Sequence, residues 1–157
     1  MFNRIRFSNV QQAVLAKASQ GYWNTVNAYL KNVSEHDKAL NGALLVYAID
    51  GGLTHQIAII FSYGADVSGA KKAVLAKASL GYWNTVKAYL KHDSNNAVLN
   101  EGLLGYAIRD GLTDMIGWLT KKLAASSSTQ VQVNTVHAAK LKQDFFSDDD
   151  YVFVAQA

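Results

Sequence analysis

The stretch AVLAKASQGYWNTVNAYLK, residues 13–31, decides the fold because it returns sixty residues later as AVLAKASLGYWNTVKAYLK, residues 73–91. The two nineteen-residue copies differ at two positions: Gln20 against Leu80, and Asn27 against Lys87. A long identity inside so short a chain indicates an internal duplication, and a fixed period is the sequence signature of a repeat architecture.

Glycines mark a shorter period inside this duplication. Four of them are spaced 31, 29 and 30 residues apart: Gly21, Gly52, Gly81 and Gly111. Because each lies between two apolar segments of helical spacing, we predict a helix, a glycine of positive φ and a second helix in every unit. The even units match each other through LLVYAIDGGLTHQIAIIF, residues 44–61, and LLGYAIRDGLTDMIGWLT, residues 103–120. The units therefore alternate as two subtypes, in the order ABAB.

This pattern predicts an all-α fold. Two helices of about ten residues cannot bury an apolar face alone, so the units are expected to stack as an α-solenoid of helix-turn-helix repeats. We predict a repeat domain over residues 1–125, and a linker with a capping or interaction tail over residues 126–157. The expected units are near residues 9–41, 42–69, 70–99 and 100–125. The expected helix caps are Ser8 or Asn9, Asn41, Ser68 and Asn100.

The second unit resembles an ankyrin repeat. In ALLVYAIDGGLTHQIAIIFSYGADV, residues 43–67, an inner helix ends in Ala-Ile, a glycine follows, and an outer helix ends in large apolar residues before Gly-Ala-Asp-Val. The resemblance covers about residues 9–124 in the same phase. It implies these outer-helix core positions: Val26, Tyr29, Leu30, Ile57, Ile59, Ile60, Phe61, Val86, Tyr89, Leu90, Ile116, Trp118 and Leu119.

The repeats depart from the ankyrin pattern in their loops. No unit has the Thr-Pro-Leu-His start of the inner helix, the chain has no proline, and the period is near 30 instead of 33. The linkers NVSEHDKALN, residues 32–41, and HDSNNAVLN, residues 92–100, are interpreted as plain turns or shortened β-hairpins. A helix-pair solenoid of another family is the alternative.

The resemblance also implies which residues face a partner. In ankyrin repeats the two residues before the turn glycine lie towards a concave groove. Here they are Ser19 and Gln20, Asp50 and Gly51, Ser79 and Leu80, Arg109 and Asp110. An exposed apolar Leu80 indicates a contact surface, and its burial against a neighbouring unit is the alternative. The other changed position, Asn27 against Lys87, is predicted to lie on the outward side of the outer helix.

The aromatic residues of the repeated GYWN are interpreted as core. Tyr22 lies on the apolar stripe, and the tryptophan position packs between repeats in ankyrin-like units. Stacking of these rings on bases, helped by Lys17, Lys77 and Lys87, is the alternative. The net charge is +3, and the two lysines and four aspartates from Ser126 onward leave +5 for the rest. That field is weak for nucleic-acid binding, which stays a distant alternative.

Composition excludes several kinds of chemistry. The absence of cysteine rules out disulfides, thiolate catalysis and thiolate metal sites. No apolar run approaches the roughly 18 residues of a membrane span, so none is expected. The pairs His36-Asp37 and His92-Asp93 offer metal ligands or a proton shuttle, but they follow in polar linkers without a third ligand. We predict no catalytic residue, no cofactor, no metal and no small-molecule substrate.

The C-terminal tail has two interpretations. Phe145, Phe146, Val152 and Phe153 are apolar residues suited to cap the last unit of a solenoid. Alternatively, the run from Tyr151 to Val154 adds as a strand to the sheet of a partner.

These observations predict a non-enzymatic module that binds another protein through the concave face and loop tips of an ankyrin-like solenoid. Proline-free, degenerate repeats resemble effectors, or regulators of effectors, of intracellular bacteria. That resemblance implies a cytoplasmic location or export to a host cytosol without a signal peptide. A self-assembling scaffold is the alternative. The candidate partner-binding residues are Ser19, Gln20, Asp50, Ser79, Leu80, Arg109, Asp110, Tyr151 and Phe153.

Overall fold

The computed structural model describes residues 6–126, and this part of the chain is all-helical, which confirms the prediction of an all-α fold. Within this range 73% of the residues are helical and none lies in a strand, so both linkers are plain turns there. The helices are α1 (Asn9–Ser19), α2 (Trp23–Asn32), α3 (Lys38–Asp50), α4 (Thr54–Tyr63), α5 (Ala70–Ser79), α6 (Trp83–Leu90), α7 (Ala97–Arg109) and α8 (Thr113–Ala125).

Helices α1, α3 and α7 begin at polar side-chain caps, of which the sequence identified one, whereas α2, α4, α6 and α8 have no side-chain cap hydrogen bond. Ser8 forms a capping box with Gln11, as predicted for the start of α1. The predictions of Asn41 and Asn100 as caps are wrong, because α3 begins after Asp37 and α7 after Asn96. Helices α3 and α7 therefore begin about one turn earlier in the sequence than predicted. α5 begins at Ala70, two residues after Ser68.

Asn41 and Asn100 are instead buried helix residues. Each donates a side-chain hydrogen bond to a loop, Asn41 to the loop after α4 and Asn100 to the loop before α7. Asn41 is 1% exposed and donates from Nδ2 to the Gly64 carbonyl oxygen at 2.8 Å. Asn100 is 2% exposed and donates from Nδ2 to the Ser94 carbonyl oxygen at 3.0 Å. A buried side-chain amide is retained where it satisfies a backbone group that no helix ladder reaches.

The predicted glycine turns are confirmed. The φ angles are +85° at Gly21, +67° at Gly52, +82° at Gly81 and +68° at Gly111. Each glycine follows the first helix of a pair and has a left-handed backbone conformation. Residues with a Cβ adopt this conformation only at a cost in free energy.

The chain divides into two compact parts, Met1–Ala73 and Val74–Ala157. We call these two parts unit 1 and unit 2, and they are distinct from the shorter repeats predicted from the sequence. In unit 1, α1 packs against α2 and α3, and α3 packs against α4. The loop after α4 joins the start of α3, where the Asp66 N–H donates to the Lys38 carbonyl oxygen at 3.0 Å. Gly42 permits this approach, since a Cβ there would lie 2.4 Å from the Asp66 carbonyl oxygen. In unit 2, α7 packs against α8.

Most of the expected outer-helix positions form the core. Nine of them are buried: Val26, Leu30, Ile57, Ile60, Val86, Tyr89, Leu90, Trp118 and Leu119. The other four are half-buried: Tyr29, Ile59, Phe61 and Ile116. The apolar stripe of each helix therefore faces inward as the periodicity indicates.

Two predictions about side-chain placement are wrong. Tyr22 is 56% exposed, not core, and the Lys17 ammonium lies 4.9 Å from its ring centroid. Lys87 is 1% exposed, so the position of Asn27 and Lys87 does not lie on the outward side of the helix. In unit 1, Asn27 and Gln56 exchange two side-chain hydrogen bonds of 2.9 and 2.6 Å. The position faces a neighbouring outer helix, which hydrophobic periodicity within one helix does not show.

Candidate functional site

The end of α1 sets the backbone of the first candidate site. Ser19 is the last helical residue, and its Oγ donates to the Ala16 carbonyl oxygen at 2.8 Å. Gly21 then reverses the chain, so that the Tyr22 N–H donates to the Lys17 carbonyl oxygen at 2.9 Å. This is the closing bond of a glycine-ended helix, and it leaves the last carbonyls of α1 facing outward.

The end of α5 repeats this geometry in unit 2. Ser79 Oγ donates to the Ala76 carbonyl oxygen at 2.7 Å, and the Tyr82 N–H donates to the Lys77 carbonyl oxygen at 2.9 Å. The Lys77 ammonium lies 5.0 Å from the Tyr82 ring centroid, as Lys17 does from Tyr22. The two turns therefore share one backbone and one cation–π pair.

The turns after α3 and α7 also match each other. Gly51 has φ −81° and ψ −4°, and Asp110 at the equivalent position has φ −89° and ψ 0°. Gly52 and Gly111 follow with φ of +67° and +68°. The side chains before these glycines are thus displayed from the same backbone, and only their chemistry differs.

In unit 2, Arg109 occupies the end of α5. Its Nη1 donates to the Ser79 carbonyl oxygen at 2.8 Å, and its Nη2 donates to the Ala78 carbonyl oxygen at 3.1 Å. Its guanidinium carbon lies 5.1 Å from the Tyr106 ring centroid. A guanidinium suits this place because the carbonyl end of a helix carries partial negative charge.

Asp110 and Trp83 complete the unit 2 arrangement. Arg109 donates to both carboxylate oxygens of Asp110, from Nε at 2.8 Å and from Nη2 at 3.0 Å. The Trp83 indole Nε1 donates to Asp110 Oδ2 at 2.8 Å. The hydrogen bonds from Arg109, and then from Trp83, lower the pKa of Asp110 from 3.8 to about 2. The same pairing raises the pKa of Arg109 above its ordinary value.

In unit 1 the equivalent place is an open cleft of about 450 Å³. Residues 18–21 at the end of α1 and Trp23 at the start of α2 line it on one side, and Tyr47, Asp50, Gly51 and Leu53 line it from the turn between α3 and α4. Asp50 stands at the position of Arg109, and Gly51 stands at the position of Asp110. The guanidinium is therefore missing from unit 1, and a carboxylate is displayed in its place.

The acceptors of this cleft carry no side-chain partner within residues 6–126. Asp50 is exposed, and neither its carboxylate nor the Ser19 carbonyl oxygen accepts a side-chain hydrogen bond there. Trp23 is half-buried, whereas Trp83 in the filled site of unit 2 is 5% exposed. Asp110 accepts the indole hydrogen bond of Trp83, and Gly51 at the equivalent position has no side chain to accept one from Trp23.

No protein-family model, curated protein or solved structure matches this chain. The functional proposal therefore rests on the chemistry of the two turn sites, which are the open cleft of unit 1 and the Arg109–Asp110 network of unit 2.

The structure separates the predicted partner-binding residues into three groups. Ser19, Gln20 and Asp50 line the cleft of unit 1. Ser79, Arg109 and Asp110 belong to the filled network of unit 2, where Leu80 is 65% exposed. Tyr151 and Phe153 lie outside the described residues, as do the predicted caps Phe145, Phe146 and Val152.

Sequence reasoning missed Trp23 and Tyr47 as cleft residues. The sequence signal that could have found them is their fixed position relative to the turn glycines. Trp23 lies two residues after Gly21, and Tyr47 lies five residues before Gly52. We interpreted the tryptophan as packing, which holds for Trp83 and only in part for Trp23.

The His-Asp pairs have local partners. The His36 ring stacks on Tyr63 with centroids 4.4 Å apart, and Asp37 caps α3. Asp93 accepts a hydrogen bond from the Tyr89 hydroxyl, and burial, followed by this bond, raises the pKa of Tyr89. Across residues 6–126 no three such groups are placed to hold a metal ion. No helix in this range is long and apolar enough to span a bilayer.

Proposed function

We propose that the chain is a non-enzymatic module that binds another protein, built as an ankyrin-like α-solenoid. One observation carries the proposal: Ser19 and Gln20 of α1 line a single cleft with Asp50 of α3. Residues from two consecutive helix pairs thus meet at one exposed surface that displays polar groups. Contact surfaces of helical-repeat proteins are assembled in this way, from equivalent positions of stacked repeats.

The divergence of the two copies supports the same proposal. The turn backbones agree within a few degrees, yet the side chains displayed from them change from Gln20 to Leu80 and from Asp50 to Arg109. Leu80 is a large apolar side chain that is 65% exposed. A constant scaffold with variable displayed groups is typical of recognition, since function resides in the site and not in the fold.

Affinity capture from the native setting, followed by measurement with the purified partner, tests this function. Asp50→Lys and Leu80→Asp are expected to weaken partner binding at least about tenfold, because contact residues near an interface centre dominate affinity. Glu101→Lys is the matched control, since it makes the same charge change on an exposed residue of α7. Equal binding by all three variants contradicts the proposed surface.

The tail prediction is tested in the same assay. The full chain carrying Tyr151→Ala and Phe153→Ala loses partner binding if the tail contributes a strand to the partner. Unchanged binding restricts the contact to the turn sites.

Self-association is a second candidate because unit 2 exposes several large apolar side chains. Leu80 is 65% exposed, Val98 is 76% exposed and Ile108 is 58% exposed. Exposed apolar groups of this size are typical of association surfaces when they are contiguous. Light scattering across a hundredfold range of concentration separates the candidates, since a constant monomer mass contradicts a self-assembling scaffold.

A further inference from the structure

We propose that the cleft of unit 1 binds the guanidinium group of an arginine side chain supplied by a partner protein. This inference rests on the proposed function, because it names the chemistry by which the module would recognise its partner. Unit 2 contains the same site with its arginine built in, and unit 1 contains the site without it.

Unit 2 shows what the shared backbone accepts. Arg109 donates to two carbonyl oxygens at the end of α5, those of Ala78 and Ser79, and lies over the Tyr106 ring. Three kinds of favourable contact therefore converge: helix-end carbonyls, an aromatic face and a carboxylate. The arrangement is a complete guanidinium site within one unit.

Unit 1 preserves the acceptors of that site. Ala18 and Ser19 end α1 as Ala78 and Ser79 end α5, and all four lie on turns of one backbone conformation. Tyr47 takes the place of Tyr106, is 38% exposed and lines the cleft. No acceptor that Arg109 uses on α5 has been lost from α1.

The charge of unit 1 fits an external cation. The carboxylate that Asp110 supplies in unit 2 is supplied by Asp50, which stands where the chain's own arginine would begin. Lys17 has an aromatic partner of its own, since its ammonium lies 4.9 Å from the Tyr22 ring centroid, as the Lys77 ammonium lies 5.0 Å from that of Tyr82. Replacing the internal cation by an anion leaves the site complementary to a cation from outside.

The shape of the site favours arginine over lysine. A guanidinium is planar and donates several parallel hydrogen bonds, so it can pair with a carboxylate, reach two carbonyls and stack on a ring at once. Trp23 also lines the cleft. Its volume of about 450 Å³ lies within the range of about 300–1,000 Å³ that small-ligand sites occupy.

Nuclear magnetic resonance of the ¹⁵N-labelled full chain, titrated with N-acetyl-arginine-N-methylamide, tests the site directly. We expect saturable shifts of the Ser19 and Gln20 amides and of the Trp23 indole N–H, with a millimolar Kd. The lysine analogue is expected to bind at least about fivefold more weakly, because it lacks the fork of donors. The neutral citrulline analogue is expected to give no saturable shift. Equal responses to the three probes, or no response at Trp23, overturn the proposal.

Exchange of side chains between the units gives the matched variants. Asp50→Asn is expected to weaken the arginine probe at least about tenfold, since a charge-assisted hydrogen bond is lost. Asp50→Arg with Gly51→Asp fills the cleft as in unit 2 and abolishes probe binding. Arg109→Asp with Asp110→Gly opens unit 2, and the probe then shifts Ser79 and Trp83 as well. Full probe binding after the cleft of unit 1 has been filled contradicts the assignment.

Failure of this inference is distinguishable from failure of the proposed function. If partner binding depends on Asp50 but the chain binds no arginine probe, the module stands and the arginine assignment is wrong. If the arginine probe binds but the filled variant still binds its partner fully, the cleft is not the partner contact and the proposal is overturned.

Discussion

The ends of α1 and α5 present the same backbone with opposite electrostatic character. In unit 2 the turn site holds its own Arg109, which pairs with Asp110 and covers two helix-end carbonyls. In unit 1 the same carbonyls border an open cleft with Asp50 at its edge. The comparison shows that one backbone carries two arrangements: one copy holds an ion pair within the fold, and the other has an exposed carboxylate at an open cleft.

The largest expected effect concerns the two tryptophans. Trp83 is 5% exposed and hydrogen-bonded to Asp110, so Trp83→Ala is expected to lower the free energy of unfolding by about 3–5 kcal/mol. Trp23 is half-buried at the open cleft, and Trp23→Ala is expected to cost about 1–2 kcal/mol. Urea unfolding followed by far-ultraviolet circular dichroism measures both. Equal losses contradict the difference between the two sites.

The second effect concerns the part-buried amide pair of Asn27 and Gln56 in unit 1. Gln56 is 6% exposed, and methionine stands at the equivalent position of unit 2. Gln56→Met leaves the Asn27 amide without its side-chain hydrogen bonds, and we expect the free energy of unfolding to fall by about 1–3 kcal/mol. Asn27→Leu together with Gln56→Met is expected to recover most of this loss, because no polar group is then left unpaired. If the losses of unfolding free energy in the two single variants add in the double variant, the two side chains are not energetically coupled and the prediction is wrong.

A third effect separates the loop contact of unit 1 from its counterpart. Gly42→Ala is expected to destabilise by about 1–2 kcal/mol despite the higher helix propensity of alanine, because the Asp66 carbonyl oxygen must move. Glu101→Ala at the equivalent place in unit 2 is exposed and is expected to change stability by less than about 0.5 kcal/mol. Thermal unfolding of the two variants measures the contrast, and a neutral Gly42→Ala shows that the close approach is not maintained.

The smallest effect is the pH dependence of the Arg109–Asp110 ion pair in unit 2. The pKa of Asp110 is lowered from 3.8 to about 2, so the carboxylate stabilises the folded chain above pH 4. This contribution is lost as the pH falls from about 4 towards about 2. Carboxyl ¹³C titration is expected to give a midpoint near 2 for Asp110, and a higher midpoint in Arg109→Gln. An ordinary midpoint in the native chain contradicts the ion pair.

Features that depend on one helix and its turn were predictable from the sequence. The apolar periodicity indicated the helices, and spaced glycines indicated turns of positive φ at Gly21 and its counterparts. The caps Asn41 and Asn100 are misplaced because the helices begin about one turn earlier, inside linkers interpreted as plain turns, and the apolar residues Leu40 and Leu99 of that turn are buried.

Features that depend on two helix pairs were not predictable in the same way. Tyr22 falls on the apolar stripe that the sequence predicts yet is exposed, and Lys87 is a charged residue yet is 1% exposed. The ankyrin resemblance selected Asp50 and Arg109 as equivalent groove residues. Only the structure shows that Arg109 reaches back thirty residues to the Ser79 carbonyl oxygen, whereas Asp50 accepts no such bond within residues 6–126.

Hydrogen exchange at the indole N–H groups tests most directly whether one turn site is filled and the other open. In the native chain the Trp83 indole proton is expected to exchange more slowly than that of Trp23, because Asp110 accepts its hydrogen bond. Asp50→Arg with Gly51→Asp is expected to slow exchange at Trp23 to the rate of Trp83. Equal exchange of the two indoles in the native chain, or an unchanged Trp23 in the filled variant, contradicts the account.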